Sequence, residues 1–291
     1  MTYKFDCYAT THIGNRRANN EDNFFIGEFI TRDEQSLISQ TGVREINKSV
    51  CLDGTINRIF AVSDGMGGHK NGEVASSMAV EAIREFTRKH LTAACRKDQQ
   101  KFLFVQNFQQ MIHQTNLEML HYYEGDHELD NMGTTLSGLI MFADEAVAFN
   151  VGDSSTYLFM NDVLNKLTVD DNEAERFSDI DNASLEANGK RLTKYLGMPE
   201  SNGLLSARIS EPIALREGQI YIIASDGLTD SLSTEEIKDI IKKSQVEKIE
   251  ISKQLVESAL GAENGGSDNV TVVVLKVQKH HKKRSNHYGR K

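Results

Sequence analysis

Apolar runs that end in a carboxylate are the feature that most limits how this chain can fold. Residues 59–62 and 220–224 are such runs, and each leads into a Ser-Asp-Gly triplet, with Asp64 in the first and Asp226 in the second. An ionised carboxylate at the end of a buried strand is costly unless a cation or a metal ion compensates its charge. The glycines that follow let the backbone turn sharply and approach such a partner. The pattern therefore predicts core strands whose ends carry negative charge.

Two further strand ends carry an aspartate. Asp153 follows the apolar run at residues 146–151, and Asp268 precedes the apolar run at residues 270–275. If these ends converge with those of Asp64 and Asp226, the result is a cluster of hard oxygen ligands suited to Mg or Mn.

The other elements follow from hydrophobic periodicity. Strands are predicted at residues 3–13, 24–26, 135–142, 145–151 and 156–160. Helices are predicted at residues 73–90, 99–123, 234–241 and 251–260. Residues 27–57 have only a weak hydrophobic periodicity and are interpreted as a long excursion between two strands. Residues 170–190 are acidic and irregular, which favours a mobile surface flap.

Composition excludes several classes of protein. The net charge is 33 − 42 = −9, which argues against a general affinity for nucleic acid. The three cysteines, Cys7, Cys51 and Cys95, are too scattered for a disulfide framework or a zinc site and favour a reducing compartment. No apolar run approaches the roughly 18 residues that span a bilayer. We expect a cytoplasmic protein that contacts neither nucleic acid nor membrane.

The C-terminal residues are strongly basic. The segment that begins Lys279-His280-His281-Lys282-Lys283-Arg284 contains no acidic residue, which is typical of a disordered, solvated tail. We therefore expect a single catalytic domain at residues 1–278 and a disordered basic tail at residues 279–291.

Eight short motifs occur in a specific order between about residues 10 and 277. They are Arg17-x-x-Asn20-Glu21-Asp22, Asp64-Gly65-Met66-Gly67-Gly68-His69, Gly72-Glu73, Gly133-Thr134-Thr135, Gly152-Asp153-Ser154, Leu167-Thr168-x-Asp170, Ser225-Asp226-Gly227 and Ser267-Asp268-Asn269-Val270-Thr271. Each motif is weak alone, but the ordered set resembles the metal-dependent protein phosphatases of type 2C. The resemblance implies an α+β fold, a four-layer α-β-β-α sandwich of two mainly antiparallel sheets flanked by helices. It also suggests a monomer.

The resemblance implies ligands for two divalent cations, Mn or Mg. In the family, the aspartate that matches Asp64 bridges the two ions, and the carbonyl of Gly65 is also a ligand. Asp226 and Asp268 would complete the protein ligands of one ion. The other ion would be supported by Glu21 or Asp22, partly through water.

Further roles follow from the same resemblance. A third, weaker ion would be held through Asp153, with Asp226 shared. Arg17 would bind the substrate phosphate through two parallel hydrogen bonds, which a planar guanidinium forms better than lysine. Asp64, Arg17 and His69 would be the catalytic residues. For the proton that the leaving alkoxide needs, His69 and metal-bound water are both candidates.

The function implied is hydrolysis of phosphoserine and phosphothreonine in proteins by a metal-bridged water, reversing the action of a serine/threonine kinase. Phosphorylated proteins, including such a kinase, would be the partners. One alternative is a pseudophosphatase that binds phosphoproteins without hydrolysis, although such proteins typically lose the metal-binding aspartates. The other is a hydrolase of small phosphate esters. A P-loop is excluded, because residues 65–68 are not followed by Gly-Lys-Ser/Thr.

Three features differ from the family pattern. Ser155 stands where arginine is common after Gly-Asp-Ser, and Asp171-Asn172 replaces a common His-Ser pair. The excursion at residues 27–57 is long. We expect altered ion pairing near the third metal, and effects of the flap and the excursion on substrate choice.

Overall fold

The computed structural model describes residues 2–31, 44–66, 71–90, 93–122, 132–176, 190–199, 204–263 and 265–279. Within these ranges the chain forms two β-sheets that pack face to face, with helices on both outer surfaces. None of the helices in these ranges combines the length and the apolar character needed to span a membrane.

In the described part of the chain, runs of consecutive strands are separated by one to three helices. The strands are β1 (Tyr3–His12), β2 (Asp22–Ile26), β3 (Phe29–Ile30), β4 (Glu45–Asp53), β5 (Arg58–Met66), β6 (Gly133–Thr134), β7 (Leu136–Met141), β8 (Glu145–Val151), β9 (Ser155–Met160), β10 (Val163–Lys166), β11 (Arg208–Ile209), β12 (Ile213–Ala214), β13 (Ile220–Ala224) and β14 (Val270–Lys279). The helices are α1 (Gly72–Lys89), α2 (Asp98–Tyr122), α3 (Glu173–Arg176), α4 (Asp226–Thr229), α5 (Thr234–Glu247) and α6 (Ile251–Gly261).

The strand order places the predicted site on both sheets. The first sheet has the order β10-β9-β13-β14-β1-β4. The second has the order β11-β8-β7-β5-β2-β3, with β12 also paired to β8 and β6 to β5. All these pairings are antiparallel. The aspartates that flank β13 and β14 therefore belong to one sheet, and those of β2, β5 and β8 to the other.

Three apolar clusters separate the layers. Between the sheets, Phe5 and Phe60 pack edge to face with ring centroids 6.3 Å apart. On the outside of the second sheet, Phe108 of α2 packs against Phe149 of β8. On the outside of the first sheet, Leu255 of α6 is fully buried in the third cluster. The expected four-layer α-β-β-α sandwich is confirmed.

Strand β4 differs from the expectation for residues 27–57. Residues 45–53 pair with β1 along nearly its whole length and form the edge of the first sheet. The strand was missed because only Ile46 is fully buried, with Val50 and Leu52 partly covered, and the other positions face water. Residues 32–43 of the excursion lie outside the described residues.

Two other expectations fall partly outside the described ranges. Of the predicted flap at residues 170–190, residues 177–189 are not described, and residues 173–176 form α3. Lys190, at the end of the flap, and residues 191, 192 and 195 after it line the same cavity as the predicted site. Lys279, the first residue of the predicted tail, ends β14 and pairs with Tyr3. The tail beyond Lys279 lies outside the described residues.

Candidate active site

The first two carboxylates face each other across adjacent strands. Asp22 opens β2 and stands opposite Asp64 of β5 in the antiparallel register. Ser225 donates a hydrogen bond from Oγ to Oδ2 of Asp22 over 2.7 Å. The other oxygen of Asp22, Oδ1, is buried and has no hydrogen-bond partner. A buried carboxylate oxygen without a donor is rare in proteins and indicates a site for a cation.

The remaining aspartates reach the same region from different elements. Asp226 is the first residue of α4, directly after β13. Asp153 lies in the turn between β8 and β9, and Asp268 precedes β14. One cavity of about 730 Å³ collects most of the predicted site, namely Arg17, Glu21, Asp64, Gly65, Asp153, Asp226 and Asp268. Asp22 is buried and does not line the cavity, and His69 lies outside the described residues.

Burial and mutual repulsion raise the pKa values of these carboxyls. Removal from water, with added repulsion from Asp226, raises the pKa of Asp22 to about 7. Burial, followed by repulsion from Asp22, holds the pKa of Asp64 well above its ordinary range. Burial also raises the pKa of Asp153 to about 7 and that of Asp226 to about 6. Such a cluster favours protons or metal ions over isolated charge.

Arg17 lies at the rim of the cavity. Its Nη2 donates to Oδ2 of Asp268 over 2.6 Å, and its side chain is 52% exposed. The loop that carries Arg17 is tied to the start of β14 by Asn269, the residue before the strand. The amide of Asn269 donates to the carbonyls of Ile13 and Asn19, and its oxygen accepts from the backbone N–H of Glu21. A single buried amide thus fixes both ends of the arginine loop.

The Gly133-Thr134-Thr135 motif fixes Asp64. Thr135 accepts a hydrogen bond at Oγ1 from the backbone N–H of Asp64, and its own N–H donates to the Asp64 carbonyl. The Thr135 hydroxyl is also 2.7 Å from that of Ser154, beside Asp153. One threonine therefore bonds both to the backbone of Asp64 and to Ser154, the residue that follows Asp153.

Gly65 can only be glycine here. A Cβ at this position would overlap with the carbonyl oxygen of Gly72 and with that of Glu21. The close approach brings the start of α1 against the start of β2, and the Glu21 carboxylate lies against Gly72. Burial, followed by repulsion from Glu73, raises the pKa of Glu21.

Several residues of the cavity were not predicted from sequence. They are Thr135 and a wall formed by Lys190, Arg191, Leu192 and Tyr195. Lys190 forms an ion pair with Asp230, one helical turn after Asp226. Asn269 and Thr135 belong to quoted motifs, so the signal for them was present. The wall residues follow the acidic flap and carry no pattern that marks them.

The residues present suit a divalent cation. The available metal ligands are carboxylate oxygens, which Mg and Mn prefer. One of them, Oδ1 of Asp22, accepts no hydrogen bond from the protein. Among the described residues, no three carboxylate, imidazole or thiolate groups already surround one point as a complete ligand set. That is compatible with Mg-type binding, in which one or two carboxylates are supplemented by water.

Comparison with known proteins identifies the family. The protein phosphatase 2C family model matches residues 49–258. The serine/threonine phosphatase stp of Listeria innocua is 29% identical over 275 residues, which cover 91% of this chain and 93% of that protein. The serine/threonine protein phosphatase PstP of Mycobacterium tuberculosis is 30% identical over 223 residues, which cover 76% of this chain and 40% of PstP.

A solved structure supports the same relationship. The crystal structure of the PstP catalytic domain in complex with two manganese ions superposes with a TM-score of 0.69 at 25% identity, covering 94% of this chain and all of that one. Since the family model spans well over half of the sequence and the sandwich is shared with a solved relative, the chain belongs to the protein phosphatase 2C family.

Proposed function

We propose that this protein hydrolyses phosphoserine and phosphothreonine in other proteins, with Mn or Mg bound at the carboxylate cluster. The observation that carries the proposal is the convergence of Asp64, Asp153, Asp226 and Asp268 in one cavity with an arginine at its rim. Carboxylates alone would repel a phosphate dianion, so the cavity suits a phosphoryl substrate only together with cations.

The ligand assignment extends that of the family. Asp64, Asp226 and Asp268 would hold one cation, and Asp64 with Glu21 or Asp22, partly through water, would hold the other. The carbonyl of Gly65 would be a further ligand. Asp153 and Asp226 would hold a third, weaker ion. Bound divalent cations would supply the positive charge that a phosphate dianion needs and would acidify the attacking water.

Arg17 orients the phosphate. Its Nη2 is bonded to Asp268, which anchors the guanidinium while Nε and Nη1 keep donors for two phosphate oxygens. Its half-exposed position lets a substrate reach it from solvent. The same contacts stabilise negative charge on the phosphoryl oxygens in the transition state.

The wall formed by Lys190, Arg191, Leu192 and Tyr195 favours a polypeptide substrate. These basic, apolar and aromatic side chains line the same cavity as the carboxylates. A peptide on either side of a phosphorylated residue would contact this wall, whereas a small ester would not. The general-acid role of His69, the cytoplasmic location, the kinase partner and the monomeric state stay predictions.

The test is hydrolysis of a phosphothreonine peptide and of p-nitrophenyl phosphate with Mn, with Mg and with a chelator. Wild type is compared with Asp64→Asn and with a control, Asp162→Asn. Asp162 has a positive φ of 63°, which asparagine also adopts. It is exposed in the turn between β9 and β10 and does not line the cavity.

We expect metal-dependent turnover in wild type and control, and its loss in Asp64→Asn. Full turnover in Asp64→Asn would refute the site assignment. Peptide binding without turnover would indicate a pseudophosphatase. A strong preference for nucleotides or other small esters over the peptide would indicate a small-ester hydrolase.

A further inference from the structure

Asp171 is a buried carboxylate that is bonded to two segments of the cavity lining. Its side chain is 1% exposed, yet it is not part of the carboxylate cluster that lines the cavity. It follows the Leu167-Thr168-x-Asp170 motif and precedes α3. Its backbone and side chain each form hydrogen bonds to segments that do line the cavity.

The first of these segments is the turn that carries Asp153. The backbone N–H of Asp171 donates to the Gly152 carbonyl over 2.8 Å, and the N–H of Gly152 donates to Oδ2 of Asp171 over 3.3 Å. Asn150 donates to the same Gly152 carbonyl over 2.7 Å. Gly152 has a φ of 101°, so this turn requires glycine and is held by reciprocal bonds on both sides of its peptide.

The second segment is the wall at residues 190–195. The N–H of Thr193 donates to the Asp171 carbonyl over 2.8 Å. An antiparallel bridge joins Asn172 to Leu192, and the N–H of Glu173 donates to the carbonyl of Arg191. The residues around Asp171 therefore hold the peptide backbone from which the wall side chains project.

Arg208 compensates the charge of Asp171. Its Nε lies 2.7 Å from Oδ1, on the opposite side from the oxygen that binds Gly152. Arg208 belongs to β11 and pairs with Asn150 of β8, so the cation is itself fixed to the strand that ends in the Asp153 turn. A buried carboxylate with both oxygens engaged in this way has one stable orientation.

We infer that Asp171 is a positioning residue that holds the Asp153 turn and the wall at residues 190–195 in one arrangement, with Arg208 as its counterion. A substrate that contacts both the Asp153 turn and the wall depends on this arrangement. A small ester occupies the carboxylate end, which includes Asp153, but does not reach the wall, so it depends on this arrangement less. Asp171 thereby contributes to selectivity for a peptide over a small phosphate ester.

The inference rests on the proposed function for its kinetic consequence but not for its structural one. The variants are Asp171→Asn and Arg208→Gln, with Arg208→Lys as the conservative replacement. The matched control is Asp144→Asn, which removes a carboxylate from the ion pair with Lys101 at the opposite end of β8. KM and kcat are measured for a phosphothreonine peptide and for p-nitrophenyl phosphate, and amide hydrogen exchange is measured at Gly152 and Thr193.

We expect Asp171→Asn and Arg208→Gln to raise KM for the peptide by roughly tenfold, the factor that corresponds to loss of one hydrogen bond to a charged group. The kcat for p-nitrophenyl phosphate should change by less than about twofold, within the scatter of an uninvolved surface substitution. Exchange at Gly152 and Thr193 should accelerate. Arg208→Lys keeps the positive charge, so its peptide KM should lie much closer to that of wild type than the KM of Arg208→Gln does. Asp144→Asn should alter neither the peptide KM nor the exchange at these two amides.

Unchanged peptide KM and unchanged exchange in folded Asp171→Asn would overturn the inference. So would an equal fall in kcat for both substrates without a change in KM, because that would place Asp171 in the chemical step. If Asp171→Asn fails to fold, Arg208→Gln and Arg208→Lys carry the test. If wild type hydrolyses neither substrate, the proposed function fails while the exchange data still decide the role of Asp171.

Discussion

The two ends of β8 treat buried charge in opposite ways. At the start of the strand, Lys101 is 8% exposed and lies 3.0 Å from Asp144 and 3.1 Å from Glu145. Beyond its other end, Asp153 faces a cluster of carboxylates, and within the described ranges no lysine or arginine forms an ion pair with Asp22, Asp64, Asp153 or Asp226. The first arrangement is neutralised by the protein itself, whereas the second is left to an external cation.

The ion pairs of Lys101 thus belong to the stability of the fold, whereas the carboxylate cluster belongs to the site for a cation. A buried lysine with two partners is compensated, and removing the partners destabilises the fold because it leaves a buried charge unpaired. The carboxylate cluster destabilises the metal-free fold, since its members repel each other away from water. Removing a carboxylate should therefore have opposite effects on stability at the two ends.

The largest effect is expected for Asp226→Asn. Under the proposed function it should lower kcat/KM for a phosphothreonine peptide by about 10³-fold, as when a principal electrostatic group of an active site is removed. With chelator at pH 8, the same variant should melt at a higher temperature than wild type, because repulsion within the cluster is reduced. Kinetics and thermal melting check the two parts, with Asp162→Asn as control. A lower melting temperature in chelator would contradict the comparison.

The next effect tests the compensated end. The double variant Asp144→Asn, Glu145→Gln leaves Lys101 buried without a carboxylate. We expect the free energy of unfolding to fall by about 3 kcal/mol, near the lower limit for breaking a buried ion pair. Activity per folded molecule should be unchanged. Urea titration and peptide hydrolysis measure the two quantities, and a loss of activity without a loss of stability would blur the distinction between the ends.

Sequence could locate the carboxylates because each is marked locally. Asp64, Asp153, Asp226 and Asp268 stand beside apolar runs and next to glycine or serine, so their strand ends were visible without the fold. Their convergence in one cavity depends on sheet order, which the family resemblance supplied. Asp22, by contrast, was assigned from a motif, and the structure places it below the cavity surface rather than on it.

Contacts between distant segments could not be predicted in the same way. Asp171 and Arg208 are 37 residues apart, and β11, which carries the arginine, is two residues long. So short a strand leaves no periodic pattern. Lys190 and Arg191 line the cavity because contacts with distant residues hold their segment there, among them the bonds to α3 and to the Asp171 backbone and the ion pair between Lys190 and Asp230.

Helix α1 follows the prediction for residues 73–90 closely. Two of its apolar residues, Met78 and Ala82, are only partly covered. The face buried against the second sheet contains Ala79, Val80 and Ile83. Small residues let the helix approach the sheet, while Met78 and Ala82 line a groove beside α2.

The pH dependence of stability sharpens the comparison further. Asp22, Asp153 and Asp226 have folded-state pKa values of about 7, 7 and 6, above the value of about 3.9 for an unfolded aspartate. Groups with raised pKa values stabilise the fold at low pH and lose that contribution as pH rises through the folded value. His12, whose pKa is lowered by burial, contributes the opposite slope.

We therefore expect the metal-free protein to lose stability between about pH 4 and pH 7, where the unfolded carboxyls are ionised and the folded ones are still protonated. The loss is on the order of 1 kcal/mol per pH unit for each carboxyl. Mn should restore more stability at pH 8 than at pH 5, because it then replaces no protons. Chemical unfolding from pH 4 to pH 8, with chelator and with Mn, is the measurement. Stability that rises with pH in chelator would show that the cluster is already compensated.

The smallest effect is expected at Ser225, the donor to Asp22. The Ser225 hydroxyl also accepts a hydrogen bond from the N–H of Thr271 over 3.0 Å. Ser225→Ala should lower the free energy of unfolding by about 1 kcal/mol, the usual net value of such a hydrogen bond. It should also weaken Mn binding, because the loss of a donor favours the protonated form of Asp22 and a proton competes with the metal.

Ser233 provides the matched control for this last prediction. It caps α5 by accepting from the N–H of Glu236, and its replacement by alanine should also cost about 1 kcal/mol. Titration calorimetry with Mn, without substrate, separates the two serines. Ser233→Ala should bind Mn as wild type does, whereas Ser225→Ala should bind it severalfold more weakly. Equal Mn affinities in the two variants would mean that Asp22 contributes only to folding. Asp22 would then not belong to the group of carboxylates whose charge an external cation compensates.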